Sequence, residues 1–265
     1  MSCLNELKQC MTNHKLRLNE EKTEFLVLSS PHFRPFLKHL MLKFGSVDIT
    51  QSDKAKNLGV VFDNVMNMQA QVSTICISAY FHLRNIGCIR KYLTLDSTAM
   101  LIHSLISSRL DYCNSLLTGL PAKEYSRLQK VQNTAARILT LTRKHDHITP
   151  VLMDLHWLPI TLRVQFKILL LTFRIIHGLA PCYLNDLITF YCPQRSLRSS
   201  SQQLLTQPKH NLKTYGQRSF SAVAPKYWNA LPIEIKIVPD IKDFKSCVKT
   251  YLFKKFIDSP ADYIK

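Results

Sequence analysis

The apolar pattern of the chain changes near residue 64, and this change constrains the fold more than any other feature. Before it, the spacing predicts an amphipathic helix over residues 2–15 followed by short strands. The predicted strands are 24–29, 40–44, 47–50 and 56–63, with Gly45 at the turn between the second and the third. Beyond it, helices are predicted at 66–91, 94–117, 121–143, 159–178, 216–230 and 240–256. The chain is therefore predicted to be mainly α with a small α+β N-terminal part.

The composition indicates a folded, strongly basic protein, which would attract negatively charged partners. Hydrophobic residues make up 46% of the 265 residues and only 6 are glycine, which is typical of a packed, helix-rich chain. Lysine and arginine number 35 against 18 aspartates and glutamates, which gives a net charge of +17. Such an excess attracts polyanions, so nucleic acid is the expected partner. An anionic membrane surface is a weaker alternative, and a basic protein with no such partner is a third.

The cysteines and histidines show no metal-binding pattern. The eight cysteines include no Cys-x-x-Cys pair and no zinc-ligand spacing with His145, His147 or His156, so we expect reduced thiols and structural histidines. The N-terminus lacks the apolar run of a signal peptide, and cations interrupt the most apolar stretch, residues 160–176. The sequence therefore predicts an intracellular protein of the nucleus or cytoplasm, with no membrane span and no small-molecule substrate.

A series of segments, in a fixed order along the chain, resembles one protein family. The first is Asn13-His-Lys-Leu-Arg-Leu-Asn-Glu-Glu-Lys-Thr-Glu-Phe-Leu. The others are Lys56-Asn-Leu-Gly-Val, Phe81-His-Leu-Arg-Asn-Ile, Ser107-Ser-Arg-Leu-Asp-Tyr-Cys-Asn-Ser-Leu-Leu, Leu128-Gln-Lys-Val-Gln-Asn-Thr-Ala-Ala-Arg, His147-Ile-Thr-Pro-Val-Leu, Leu155-His-Trp-Leu-Pro and Trp228-Asn-Ala-Leu-Pro. The series resembles the part of non-LTR, LINE-type retrotransposon reverse transcriptases that follows the catalytic strand hairpin.

The resemblance covers nearly the whole chain and implies a domain order. It implies an incomplete right-hand polymerase palm over residues 1–64, with primer-grip-like strands, and a helical thumb-like region over 65–150. A helical C-terminal region would follow over 151–265, with a polar loop near 192–215. The implied partner is RNA or an RNA–DNA primer–template, bound without sequence specificity.

The chemistry of the family requires residues that this sequence does not contain. In the family, two carboxylates of a Tyr/Phe-Ala-Asp-Asp turn and one from an earlier strand hold two Mg²⁺ ions. No Asp-Asp pair occurs here, and on this alignment the chain begins just after that turn and without the upstream endonuclease module. Asp48 and Asp63 match turn and edge positions rather than ligands. We therefore expect no catalytic residue, no metal site, no cofactor and no enzyme activity in the chain as it stands.

Three residues in the palm-like part, at two places in the chain, match functional positions of the family. Lys22 matches a lysine that lies near the incoming triphosphate, where a cation can stabilise the leaving phosphate; alternatively it is a solvated lysine beside acidic neighbours. Leu58 and Gly59 resemble the turn that grips the primer end, since glycine lets a backbone approach a phosphodiester closely. The alternative is an ordinary glycine in an edge strand.

The helical part offers candidate phosphate contacts. Four basic residues share one sector of the third helix of this part, predicted at 121–143, beside an apolar sector: Arg127, Lys130, Arg137 and Lys144. Such a row of cations can contact successive phosphates or be a solvated face. Arg84, Arg90 and Lys91 on the first predicted helix lie near Tyr80, Phe81 and Tyr92. The aromatic residues are predicted to be core, with Phe81 and Leu83 pointing inward. Tyr112, Trp157 and Trp228 are interpreted as packing residues.

The sequence thus predicts a truncated, inactive reverse transcriptase that is at most a non-specific nucleic-acid binder. Two alternatives stay open. In the first, the chain is part of a longer, active RNA-directed DNA polymerase, and the upstream reading frame would then encode the aspartates. In the second, the chain is a co-opted helical interaction module that binds no nucleic acid, and its positive charge is inherited from an ancestral polymerase.

Overall fold

A computed structural model describes residues 2–17, 19, 22–29, 32–37, 40–44, 47–193, 202–212 and 215–264. The protein is mainly helical, with 60% helix, 8% strand and a small N-terminal sheet part, as the sequence predicted. It divides into two compact units, Met1–Gln71 and Val72–Lys265, called here the N-terminal unit and the C-terminal unit. The predicted turn at Gly45, the motif residues Leu18, Glu20 and Glu21, and residues 194–201, 213 and 214 of the predicted polar loop lie outside the described residues.

In its described residues the N-terminal unit contains one α-helix, a short 3-10 helix (Arg34–Leu37) and two small sheets. Its elements are α1 (Ser2–Asn13), β1 (Phe25–Leu26), β2 (Met41–Phe44), β3 (Val47–Ser52), β4 (Lys54–Asn57) and β5 (Val60–Asp63). The first sheet has the order β1-β3-β2, with β1 parallel to β3 and β2 antiparallel to it. The second sheet pairs β4 with β5. The helix and the β2–β3 pair are as predicted, whereas the predicted strand 24–29 is reduced to two residues.

The strand predicted over 56–63 is wrong in its middle, because the chain reverses there. Lys54 pairs with Asp63 and Asn57 with Val60, which leaves Leu58 and Gly59 as a two-residue turn. Both have positive φ, 47° and 84°. That combination matches the type I′ turn, whose twist fits a tight hairpin. Glycine adopts it without strain, whereas a leucine in this region is uncommon and conceals the turn from a sequence pattern.

Asp63 ends β5 and organises the next turn of chain. Its buried carboxylate accepts hydrogen bonds from the backbone N–H groups of Val65, Asn67 and Met68, at 3.2, 2.9 and 2.7 Å. Charge-assisted bonds from backbone amides satisfy a buried carboxylate well. Asp63 therefore has a structural role at the start of the following helix.

The C-terminal unit is built from helices. They are α2 (Gln69–Ile89, which begins in the last residues of the N-terminal unit), α3 (Leu95–Ile102), α4 (Ser108–Asp111), α5 (Ala122–Thr140), α6 (Ile148–Asp154), α7 (Ile160–Ile176), α8 (Phe220–Asn229), α9 (Ile233–Lys236) and α10 (Ile241–Asp258). A π-helical turn, His103–Ser107, joins α3 to α4, so that the two run as one helix. The sequence missed α6 and α9, which are too short to show a helical period.

Local sequence explains where the long helices begin. Thr94 precedes α3 and its side chain accepts from the Ser97 N–H, and Asp240 does the same for Lys242 and Asp243 at the start of α10. Such side chains satisfy backbone donors that a helix start leaves unpaired. Pro121 and Pro159 stand just before α5 and α7, where a missing N–H costs nothing.

The core of the C-terminal unit surrounds α7. This helix packs against α5, α8 and α10, and Phe173 stacks on Phe244 of α10 with ring centroids 4.1 Å apart. Trp228 is fully buried and donates its indole N–H to the Gln203 carbonyl oxygen at 2.9 Å, so its predicted packing role is confirmed. Tyr112, by contrast, is half-exposed. No described helix combines the length and the apolar content that crossing a membrane requires.

Candidate nucleic-acid interface

One side of α2 exposes apolar, aromatic and basic side chains together. Ile77, Phe81, Arg84 and Cys88 recur at helical spacing and are all exposed; we call these four residues the α2 face. The side chain of Phe81 is 62% exposed and that of Ile77 is 72% exposed. The α2 face is thus an aromatic and apolar surface with a cation in it.

The prediction that the aromatics near α2 belong to the core is wrong. Tyr80, Phe81 and Tyr92 are 43%, 62% and 77% exposed, whereas Leu83 is buried as predicted. The physical reason is that Ala79, Leu83 and Ile86 occupy the buried side of the helix. These three small or aliphatic residues fill that side at the spacing of successive turns, so the rings lie on the other side.

Arg90 and Lys91, two predicted contact residues that follow α2, have different roles. Arg90 donates from its guanidinium to the carbonyl oxygens of Ile138, Leu139 and Leu93, at 3.0, 3.0 and 2.9 Å. Its charge therefore lies at the C-terminal end of α5, where unpaired carbonyls and the helix dipole favour a cation. Lys91 is exposed, with its ammonium 4.8 Å from the centre of the Tyr92 ring. Lys91 and Tyr92 therefore present a cation and a ring to solvent.

The predicted basic row on α5 is not continuous. The Arg127 guanidinium lies 2.7 Å from the Glu124 carboxylate and also donates to the Ser73 hydroxyl at 3.0 Å. The bond to Ser73 links α5 to α2, and the buried Glu124 neutralises the guanidinium, so Arg127 is not a free cation. Lys130 is exposed and has no ion pair in the described part of the chain. The helix ends at Thr140, before the predicted end at residue 143, and Leu141 takes a left-handed conformation.

Arg137 and Lys144 meet at the end of α5, although Lys144 does not belong to the helix. Arg137 donates to the carbonyl oxygens of Arg143 and Asp146, at 3.3 and 2.9 Å, and so orders the loop that carries Lys144. The two cations line a cavity of about 630 Å³ together with His145 and His147. We call Arg137, Arg143, Lys144, His145 and His147 the basic end of α5. Sequence reasoning missed Arg143, which is exposed beside Lys144.

The predicted site residues of the palm-like part lie in the N-terminal unit. Leu58 and Gly59 form the hairpin turn, with the Leu58 side chain 83% exposed. Lys22 is exposed, and its backbone N–H donates to Asn19. Its neighbour Glu24 accepts from the Lys56 backbone N–H at 2.9 Å.

The described carboxylates form no metal centre. In the ranges that the structure describes, no group of three histidine, cysteine, aspartate or glutamate side chains is arranged to hold a metal ion. Asp63 is occupied by backbone amides, and Asp48 is exposed on β3 opposite Lys43 of β2. All eight cysteines are unpaired thiols, and burial raises the pKa of Cys76.

In chemical terms the C-terminal unit offers rings that can stack on flat ligands and cations that can contact phosphates. Stacking needs an exposed ring face, and phosphate contact needs a cation that is not already neutralised. The α2 face, Lys91 with Tyr92, Lys130, and Arg143 and Lys144 of the basic end of α5 meet these conditions, whereas Arg90, Arg127 and Arg137 are committed to contacts within the protein. No base-specific pattern of side chains is evident among these residues.

No protein-family model, curated protein or solved structure matches the chain. The resemblance to reverse transcriptases therefore stays a prediction that rests on the motifs alone.

Proposed function

We propose that the C-terminal unit binds nucleic acid without sequence specificity. The observation that carries the proposal is the exposure of Phe81 and Tyr92 beside Arg84 and Lys91, two exposed cations with no ion pair among the described residues. Leaving large rings in water forgoes the free energy of burial, so a surface that keeps them exposed next to cations favours a flat, anionic partner. The net charge of +17 supports the same class of partner.

The proposed division of labour follows from the side chains. The rings of Phe81 and Tyr92 stack on bases that are not held in a duplex, while Arg84, Lys91, Lys130 and the basic end of α5 neutralise phosphates. Stacking tolerates every base, and phosphate contacts carry no sequence information. We therefore propose RNA, or an RNA–DNA primer–template with an unpaired template strand, as the partner.

We further propose, from the motif resemblance, that the chain corresponds to the thumb-bearing part of a LINE-type reverse transcriptase and does not polymerise on its own. The support is the absence of an Asp-Asp pair from the sequence. Two Mg²⁺ ions need several carboxylate ligands at one place. Purified chain supplied with Mg²⁺, dNTPs and a primed template should extend no primer above background, and measurable extension would contradict this part of the proposal.

The binding test is fluorescence anisotropy of a labelled RNA–DNA primer–template titrated with the chain at several salt concentrations, with duplex DNA as the comparison. The informative variant is Phe81→Ala with Arg84→Gln. A matched control, Leu179→Ala with Arg174→Gln, removes an exposed apolar side chain and an exposed arginine elsewhere. The first should weaken binding by at least about fivefold, because one stacked base contributes roughly 1–3 kcal/mol; the control should not.

A second candidate function is docking of another protein. The observation in its favour is that Ile77 and Cys88 make part of the α2 face apolar rather than basic. Absent or salt-insensitive binding of nucleic acid by folded protein would favour this alternative, because phosphate contacts always weaken as salt rises.

A further inference from the structure

A second basic site lies in a cavity that the sequence did not predict. The cavity has a volume of about 540 Å³, within the range of small-molecule sites, and belongs wholly to the C-terminal unit. It is lined from the π-helical turn, from the chain around α4, from the turn between α6 and α7, and from α7 and α10. Two of the motifs quoted above, around Asp111 and around Trp157, meet at its wall.

One wall of the cavity is cationic. Arg163 is held from two sides: its Nη1 lies 2.7 Å from the Asp111 carboxylate, and its Nε donates to the Leu158 carbonyl oxygen at 3.0 Å. Its side chain is only 16% exposed, so the guanidinium is fixed in place. Lys167, four residues further along α7, and Lys249 of α10 also line the cavity. With one carboxylate against three cations, the wall keeps a positive excess that suits an anion.

A second wall consists of rings. Trp157 is buried and meets the His103 ring edge-on, with centroids 5.7 Å apart. His156 lies nearly parallel to Phe253, with centroids 5.4 Å apart, which fixes the plane of the imidazole. Aromatic walls accept a flat ring, so together with the cationic wall they suit a ligand that joins a ring to an anion rather than a bare anion.

A buried amide completes the cavity. Asn114 is 3% exposed and lines the cavity, and its side-chain Oδ1 has no hydrogen-bond partner in the described part of the chain. Its Nδ2 is 3.4 Å from Asp111, which is a weak contact. An unsatisfied buried amide is costly, and a ligand edge that carries both a donor and an acceptor would remove that cost.

We propose that this cavity binds the nucleoside phosphate group, with the heterocyclic ring at the Trp157 wall, the ring edge at Asn114, and the phosphate at Lys167, Lys249 and the remaining N–H groups of Arg163. The group is either a free nucleotide or the phosphorylated end of a nucleic-acid strand, which share this chemistry. The proposal does not depend on the α2 face or on the basic end of α5.

The test is isothermal titration calorimetry of the full chain with adenosine monophosphate, adenosine and inorganic phosphate, each separately. Adenosine monophosphate should bind at least about tenfold more tightly than either part, because ring and phosphate contacts add within one ligand. A short oligonucleotide with a terminal phosphate, compared with the same strand lacking it, distinguishes the strand end from the free nucleotide as the source.

Variants locate the binding. Lys167→Gln and Lys249→Gln should each weaken the binding of adenosine monophosphate by about tenfold, the value of one charge-assisted hydrogen bond. Lys254→Gln is the matched control, because Lys254 is exposed on the same helix as Lys249 but does not line the cavity. Phe81→Ala with Arg84→Gln should leave this binding unchanged, so failure of this site and failure of the proposed nucleic-acid surface are separate results.

Three results would overturn the assignment. The first is phosphate binding as tight as that of adenosine monophosphate, which would reduce the site to a simple anion site. The second is an equal loss of affinity with Lys249→Gln and with Lys254→Gln. The third is no binding of either adenosine monophosphate or the phosphorylated strand by folded protein.

Discussion

Tyr125 donates its hydroxyl hydrogen to the Leu117 carbonyl oxygen at 2.7 Å inside the C-terminal unit. Burial, reinforced by the nearby Tyr227, raises the pKa of this phenol above its ordinary value of 10.0. The folded state therefore holds the proton at a pH where the unfolded state releases it. The resulting stability is present below about pH 10 and is lost as the pH rises above it.

We predict that the free energy of unfolding falls as the pH rises from about 9 to about 11, and that Tyr125→Phe makes this fall shallower. At neutral pH the same change should cost about 1 kcal/mol, because one hydrogen bond to a buried carbonyl is lost. Urea unfolding across this pH range measures both effects. Tyr183→Phe is the control, since that ring is 69% exposed, and an equal change of slope in both variants would contradict the prediction.

For single residues, the sequence predicted the burial of some side chains correctly and that of others wrongly, and the errors have a physical reason. Leu83 and Trp228 are buried as predicted, but Phe81 is not. Apolar residues occur on every side of α2, so periodicity does not say which of them face the core. Leu58 was missed as a turn residue because turn patterns rely on Asn, Asp or Gly at positive φ, and here the fold places a leucine there.

Single elements depend on side chains that reach across from their neighbours. Arg90 is the clearest example, because its guanidinium donates hydrogen bonds to carbonyl oxygens at the end of α5, although Arg90 itself follows α2. Its position beside Lys91 in the sequence says nothing about this difference in role.

We predict that Arg90→Gln destabilises the C-terminal unit by about 1.5–3 kcal/mol, since charge-assisted bonds to helix carbonyls are lost. Lys91→Gln should change stability by less than about 0.5 kcal/mol, because its side chain is exposed. Denaturant unfolding gives both values. Equal effects of the two changes would show that Arg90 does not stabilise the end of α5.

On α2 itself, the two sides should respond oppositely to truncation. Leu83→Ala opens a cavity in the core and should cost about 2–5 kcal/mol, whereas Phe81→Ala should cost less than about 0.5 kcal/mol. Thermal and urea unfolding are the measurements. A large loss of stability with Phe81→Ala would mean that the ring is packed rather than available for a ligand.

Element types were predicted more successfully than element ends. The long helices α2, α5, α7 and α10 were all predicted from the sequence, but α5 ends earlier than predicted because Leu141 turns left-handed. This end removes Lys144 from the helix while Arg137 keeps it nearby through the loop carbonyls. The helical projection therefore placed Arg137 and Lys144 together correctly, although the loop after α5, and not the helix itself, brings Lys144 there.

For the whole molecule, the decisive property is the large net positive charge. The cationic side chains that carry this charge are not equivalent. Binding that depends on phosphates weakens linearly with the logarithm of salt concentration, with a slope set by the number of phosphates neutralised. Arg127 is paired with Glu124, so its removal disturbs the protein as well as any complex. Lys130 and Lys144 are the cleaner probes.

We predict that Lys130→Gln and Lys144→Gln together weaken the binding of RNA–DNA primer–template and reduce the salt slope by roughly 0.7–0.9 for each lost phosphate contact. The double change should leave the unfolding free energy unchanged within about 0.5 kcal/mol. Anisotropy titrations over a salt series measure the slope. A control with Lys254→Gln and Lys226→Gln keeps the net charge equal, and an equal effect in the control would mean that only total charge matters.

The cavity beside Arg163 could not be predicted from the sequence, because its lining residues come from segments far apart in the chain. Asp111, Arg163 and Lys249 share no spacing that indicates a common site. The only signal was that two of its segments belong to the motif series, and both were interpreted as packing.

The π-helical turn between α3 and α4 has a consequence for how this region tolerates changes in length. A π turn holds one residue more than an α turn, so loss of one residue from His103–Ser107 would restore regular α-helix. The widened turn absorbs that residue, so the residues after such a deletion would keep nearly their present positions around the helix axis. Loss of one residue from the regular turns of α3 would instead rotate everything after it by about 100°. Asp111 would then turn away from Arg163, and the cavity would lose the anchor of its cationic wall. A one-residue deletion should therefore be better tolerated at the exposed Ser104, inside the π turn, than within α3.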